Sequence, residues 1–390
     1  MTLELTLQGC DVLRPGGLEM GGELAIADGL VADTSAGRVV DLSGYLVLPG
    51  IVDVHGDGFE RHLAPRRGAM KQMAEGVVAA EAELAANGIT TAVLAQFYSW
   101  EGGLRGPEFA AQVFEGIKAV RGSLVTDLLP QLRFEIHMLE DYAGLAVRVA
   151  DWQVPYVVFN DHLPHERLAQ GKKPPRLTGQ ALKAGRNPDV HWQMLKDMHA
   201  RRDEVPDRLD ALCAELAAMG LRLGSHDDQT AEDRAIWRER GARISEFPET
   251  LVAAEAAQAA GDPVILGAPN VVRGGSHKGN ASAVELIAMG LCDALASDYH
   301  YPSPRRAALM LERTGLLDLA GAWQLVSQGP AQLLGLTDRG TLEAGKRADI
   351  VVLDKQTQRV AATIAGGRVS YMSGEVASRF LGELRRASGQ

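Results

Sequence analysis

The chain has 390 residues, 46% of them hydrophobic and 23% charged, which supplies a full core and excludes both a disordered polypeptide and a fibrous one. Its formal net charge of -10 opposes non-specific attachment to nucleic acid, so any anion it recognises must meet a local basic pocket. Three scattered cysteines, Cys10, Cys213 and Cys292, argue against a disulfide framework or a thiolate zinc site and fit a reducing, cytoplasmic location.

In chain order, residues 1–49 read as short strands joined by glycine-rich turns. Leu3-Glu-Leu-Thr-Leu7 alternates with period two, and Pro15-Gly-Gly17, Met20-Gly-Gly22 and Asp28-Gly29 are turn signals. No basic leader precedes an apolar core at this end, and no run reaches the roughly 18 uncharged apolar residues of a spanning helix, so no membrane association is expected.

From residue 50 the texture changes to strand-like runs alternating with Ala-, Leu- and Glu-rich helical stretches, the pattern of a parallel sheet covered by helices. Eight candidate strands are predicted at 51–55, 90–95, 131–137, 155–161, 221–225, 242–247, 263–268 and 293–297. Eight such units predict an α/β fold, a closed (β/α)8 TIM barrel. Residues 163–206 form a long polar insertion containing Lys172-Lys-Pro-Pro-Arg176, expected to act as a lid. After residue 341 the β style of the first segment returns around Gly345 and Gly366-Gly367. The expected organisation is a small β domain from 1–49 and 342–390, formed by both chain termini, around the barrel at 50–341.

Polar residues interrupt the apolar strands in a revealing way. The run Leu48-Pro-Gly-Ile-Val-Asp-Val-His55-Gly-Asp57 stops on two ligand-type side chains spaced i, i+2, which an extended strand turns to the same side. Asp161-His162 end the fourth strand, His226-Asp-Asp228 the fifth and Ser297-Asp298 the eighth, while Glu135 lies inside its run. Strand C-terminal ends converge on one face of a barrel, where active sites sit. A lone histidine there is more often a structural hydrogen-bond partner, and a lone aspartate can simply cap a helix. Six together predict a mixed N/O metal site of His55, Asp57, Glu135, His162, His226 and Asp298, suited to zinc first and to manganese or iron as alternatives, with one or two ions. Such a metal generates a hydroxide nucleophile from water, and Asp298 is the expected catalytic base.

Two loops look like anion cradles. Phe59-Glu-Arg-His-Leu-Ala-Pro-Arg-Arg-Gly68 offers His62 and Arg66, and Asn270-Val-Val-Arg-Gly-Gly-Ser-His-Lys-Gly-Asn280 offers Arg273, His277, Lys278 and Asn280 around Gly274-Gly275. These six are the expected substrate-binding residues.

The motif Pro49-Gly-Ile-Val-Asp-Val-His55, with Ser297-Asp298 and Gly345-Lys-Arg-Ala-Asp349, resembles the amidohydrolase superfamily. His55-Gly-Asp57, Asp161-His162, Ser225-His-Asp-Asp228 and the block from Gly267 to Asn280 are similar to the narrower family of α-D-ribose 1-methylphosphonate 5-triphosphate diphosphatases of phosphonate breakdown. The resemblance implies a metal-dependent hydrolase that splits a small phosphorylated substrate, a ribose 5-triphosphate, into the 5-phosphate and diphosphate. It implies metal ligation by the same six residues. The chain departs from that pattern at Leu163-Pro-His165 and Tyr299-His-Tyr-Pro-Ser-Pro304. Two other readings stay open, an amidohydrolase acting on a C–N bond of a small or cyclic amide and a non-catalytic metal-binding barrel; a homo-oligomer is compatible with either.

Overall fold

The computed structural model describes residues 2–64, 72–274 and 282–382. Two sheets organise them. The first is built from Leu5–Arg14 (β1), Gly17–Ala27 (β2), Leu30–Ala32 (β3), Arg38–Asp41 (β4) and Tyr45–Pro49 (β5) at one end of the chain. The other end adds three strands, which appear below as β14 to β16. The alternation in β1 buries Leu5, Leu7, Cys10 and Val12 in a small core with Val47, Ile350, Val352 and Ile364, so one face of this sheet closes on itself.

The second sheet is the barrel: Ile51–Gly56 (β6), Ile89–Tyr98 (β7), Asp127–Glu135 (β8), Tyr156–Asn160 (β9), Arg222–His226 (β10), Ile244–Glu246 (β11), Val264–Gly267 (β12) and Ala294–Ala296 (β13). Each of the eight predicted strands overlaps one of these. All neighbouring pairs are parallel, and a parallel bridge from Gly56 to Asp298 joins the last strand to the first. Every residue of β6 and β7 is buried, as expected for strands covered on both faces. Val52, Val93, Tyr156, Val158, Ile244 and Ile265 fill the interior, while a larger apolar layer seals the strands against the outer helices.

The terminal strands Ile350–Asp354 (β14), Val360–Ala365 (β15) and Arg368–Met372 (β16) complete the first sheet in the order β16-β15-β14-β5-β1-β2-β3, with β4 on β1. Pairing of β5 with β14 is antiparallel, Pro49 opposite Ile350 and Tyr45 opposite Asp354. Gly50 alone links β5 to β6, its N–H donating to Asp349 O at 2.8 Å.

The long insertion after β9 is helical: His165–Ala169, Leu177–Lys183 and Pro188–Ala200. Proline at the first helical position and the Asn187 side chain accepting from Asp189 N begin the third of these. Trp100, Leu163, Leu168, Leu177 and Leu195 form a separate apolar cluster under it, so the segment carries a core of its own in addition to its polar surface.

Candidate metal centre

Six of the eight barrel strands deliver a chemically capable side chain to the C-terminal rim. Asp53, His55 and Asp57, spaced by two, leave β6 on one side. Asp53 lies deepest, fully buried, accepting from Ser297 N at 2.9 Å and Ser297 Oγ at 2.5 Å, and burial pushes its carboxyl up to about 6. Above it the backbone bonds Asp298 N to His55 O and Asp57 N to Asp298 O, both 2.9 Å, close the barrel beside the site.

Glu135 is the last residue of β8, not an interior one, because the strand starts earlier and stops two residues sooner than the apolar run suggests. Its Oε2 accepts from Trp100 Nε1 and His162 N, both at 3.2 Å, and its Oε1 lies 2.5 Å from His162 Nδ1. Burial disfavours the His162 imidazolium, but the Glu135 carboxylate beside it outweighs that and holds the pKa above the ordinary value.

His55 and His226 approach each other with ring centroids 5.6 Å apart, and His162 and His226 with centroids 6.4 Å apart. The third member of the first pair's group is Glu246, at the end of β11. Its Oε1 accepts from Gln131 Nε2 at 2.7 Å and Tyr156 OH at 2.6 Å, and its Oε2 lies 2.8 Å from His55 Nδ1. Burial would raise the Glu246 carboxyl, yet the charge of His55 more than offsets it and the pKa is lowered. Donor atoms of His55, His226 and Glu246 lie within 4.8 Å of one another, as do those of His162, His226 and Asp227. Asp57, Glu135 and Asp298 belong to no such group among the described residues. Asp298 is nonetheless close to Asp57: burial, then the charge of Asp57, pushes its carboxyl up to about 6.

These atoms suit a cation. His55 Nδ1, Glu246 Oε2, Glu135 Oε1, His162 Nδ1 and His226 Nδ1 are buried, stand close to one another or to Asp227, and miss hydrogen-bond geometry. Close donors whose lone pairs are not aligned on a shared proton are what convergence on a common ion requires, and nitrogen with carboxylate oxygen is a zinc-type donor set.

A guanidinium stands beside them. Arg133, 5% exposed, stacks 3.8 Å from the Phe97 ring centroid, reaches His226 Nε2 at 2.9 Å through Nη2 and Asp57 Oδ2 at 3.8 Å through Nη1. Burial and then this cation hold His226 below the ordinary imidazole range, against the pull of Asp227. Glu60, over the same rim, has its carboxyl pushed up to about 7 by burial and then by Asp57.

The other expected contacts divide. Arg273 is exposed, donating to Tyr299 OH at 2.9 Å and Asn270 Oδ1 at 2.6 Å. His62 turns to Glu83, with Nε2 to Oε2 2.5 Å, a carboxylate that Arg61 also meets. Arg66, His277, Lys278 and Asn280 lie outside the described residues. Asp228 points away from the rim: it accepts from Ser225 Oγ at 2.7 Å, Ser245 Oγ at 3.0 Å and the buried Arg234 at 2.9 Å. Asp53, Arg133 and Glu246 were missed as site residues. The available signal was a charged residue within or closing a strand-like run, as in Ile51-Val-Asp53-Val and Ile244-Ser-Glu246.

Three non-glycine residues adopt the left-handed backbone here, Asp227 at φ 62°, Phe247 at φ 54° and Asp298 at φ 54°, each just past a strand end. Strain of about 1–3 kcal/mol per residue gathers at such sites because it aims side chains that regular strand geometry would misdirect.

An eight-stranded parallel barrel with histidines and carboxylates converging at its C-terminal rim fits a metal-dependent hydrolase. The sequence profile described as the amidohydrolase family matches residues 138–376, and the chain belongs to that family, whose wider superfamily generally binds divalent metals. Over 332 residues it is 32% identical to the alpha-D-ribose 1-methylphosphonate 5-triphosphate diphosphatase of Escherichia coli, covering 83% of this chain and 87% of that one. It is 28% identical over 402 residues to the imidazolonepropionase of Deinococcus radiodurans, covering 92% and 90%. Among solved structures, a putative prolidase from Bifidobacterium longum shares the fold at a TM-score of 0.64 and 14% identity, covering 97% of this chain and 98% of that one. An N-acetyl-D-glucosamine-6-phosphate deacetylase from Mycobacterium smegmatis does so at 0.62 and 17%, covering 95% and 100%.

Proposed function

We propose that the chain is a diphosphatase that hydrolyses a phosphoanhydride bond of a small sugar triphosphate, and that α-D-ribose 1-methylphosphonate 5-triphosphate is its substrate, with the 5-phosphate and diphosphate as products. The observation that carries this reading is the 32% identity to the Escherichia coli diphosphatase across 83% of the chain. Arg133 supports it independently. A nearly buried guanidinium beside the donor set, with its nearest carboxylate as far as 3.8 Å, is suited to a phosphate oxygen, which it can meet with two parallel hydrogen bonds.

His55, His226 and Glu246 would hold one cation, and Glu135 with His162 a second or a bridge to it; zinc fits the donors best. When bound, such a cation supplies Lewis-acid polarisation and acidifies water. Asp298 accepts the proton of the attacking water and returns it to the departing diphosphate, so that one P–O bond forms as the bridging P–O bond breaks. Arg133 neutralises charge that grows on the phosphoryl oxygens, aided from the loops by Arg273 and, in the segments beyond the described residues, Arg66, His277, Lys278 and Asn280. Phe97 stiffens the guanidinium by stacking, which reduces the ordering cost of binding.

A second reading, hydrolysis of a C–N bond, draws support from the likeness to the imidazolonepropionase over 92% of the chain. Zinc-loaded protein offered ribose 5-triphosphate esters and small cyclic amides separates the two. Release of diphosphate at a kcat/KM at least a hundredfold above that for any amide is expected. Amide turnover without diphosphate release overturns the proposal.

A further inference from the structure

A second set of donors lies where the helical insertion leaves the barrel, and no step above uses it. His137 stands two residues past β8, Asp161 directly follows β9, and His165 opens the helix His165–Ala169. His137 Nε2 is 3.1 Å from His165 Nε2 and 3.3 Å from Asp161 Oδ1, and His165 Nε2 is 3.1 Å from Asp161 Oδ2. The three form a closed triangle.

Protons alone do not satisfy that triangle. Asp161, with 36% of its side chain exposed, is an ionised acceptor, and each imidazole Nε2 carries one proton at most. With both nitrogens protonated, Asp161 accepts twice but two N–H groups confront each other across 3.1 Å. With one protonated, the other sets its lone pair against the carboxylate. A cation at the centre answers all three groups at once. Tetrahedral zinc with bonds of about 2.0–2.1 Å holds its ligands about 3.3 Å apart, close to the spacing observed.

The surroundings fit the same conclusion. His165 Nδ1 lies 2.9 Å from His199 Nδ1, so an Nδ1 proton that His165 donates to His199 leaves His165 Nε2 as a lone pair facing the triangle. His137 is 5% exposed, and its Nδ1 is buried without a hydrogen-bond partner among the described residues, so the triangle is what orients its ring. Asp161 and His165, each about one-third exposed, leave a path for an ion to enter.

We infer that His137, Asp161 and His165 form a second cation site of zinc-type chemistry, with His199 as the residue that orients His165, and that it clasps the insertion to the barrel. His165 begins the insertion's first helix and His199 lies in the last turn of its third, so one ion ties both ends to the strand ends of β8 and β9. Asp161 also precedes His162, so the clasp fixes the backbone that presents His162 to Glu135.

The test uses the full chain, stripped with a chelator, reloaded with zinc alone, desalted and assayed for metal content. Wild type is expected to keep one equivalent more than His165→Gln. His199→Gln is expected to keep the extra equivalent but bind it 10- to 100-fold more weakly in a competition with a zinc-binding dye. Equal zinc content in wild type and His165→Gln overturns the inference. Should His165→Gln fail to melt cooperatively, His137→Gln is read by the same count with the same two outcomes.

Discussion

At the scale of single residues, the rim separates groups that hold from a group that acts. His55, Glu246, Glu135 and His162 are locked by neighbours at 2.5–3.2 Å. Asp298 is different: its backbone is fixed by two bonds across the barrel seam, and burial, then the charge of Asp57, pushes its carboxyl up to about 6. That leaves the side chain available to move a proton. Asn tolerates the left-handed backbone as Asp does, so Asp298→Asn tests the carboxylate with little disturbance at φ 54°. The variant is expected to keep the wild-type circular dichroism spectrum and to lose about 10²–10⁴-fold in kcat. Turnover within threefold of wild type would remove the proton-transfer role.

At the scale of elements, the His226-Asp227-Asp228 motif shows how one strand end serves both chemistry and architecture. His226 and Asp227 face the rim, while Asp228 turns into a buried network that joins β10 and β11 to the helix Ala231–Glu239 through Arg234. Arg234 and Asp228 are each 1% exposed and 2.9 Å apart. Removing one partner of such a pair strands the other charge, at a cost of about 3–5 kcal/mol. Arg234→Met should therefore lower the unfolding free energy read from urea titration by that amount. The double variant with Asp228→Asn should cost clearly less than the two single losses added. Strict additivity in the double-mutant cycle would show that the two groups do not act as a pair.

At the scale of the whole molecule, the donors come from residues as distant as His55 and Glu246, so any ion they hold couples the first strand of the barrel to the sixth. An ion that binds only the folded state stabilises it by about 2.7 kcal/mol at a hundredfold excess over its Kd. Chelator-treated protein should melt at a lower temperature, and added zinc should restore the original melting point; superimposable melting curves would contradict a bound metal. Much of this plan was legible in the sequence. Fully buried parallel strands read as unbroken apolar runs, so all eight were visible, and residues at strand ends such as His55, His162, His226 and Asp298 stood out as polar stops. Glu246 and Asp53 did not, because an acid within a short buried run looks like an error in the strand until its partners, Tyr156, Gln131 and Ser297, are brought from elsewhere in the chain. The triangle of His137, Asp161 and His165 was hidden for the same reason: only the lateral pairing of β8 with β9 sets residues 24 positions apart in sequence within 3.3 Å. Periodicity and polarity along the chain determined the barrel and most of its rim. Which side chains meet was decided by parallel register and closure, since non-local pairing has no signature in local composition.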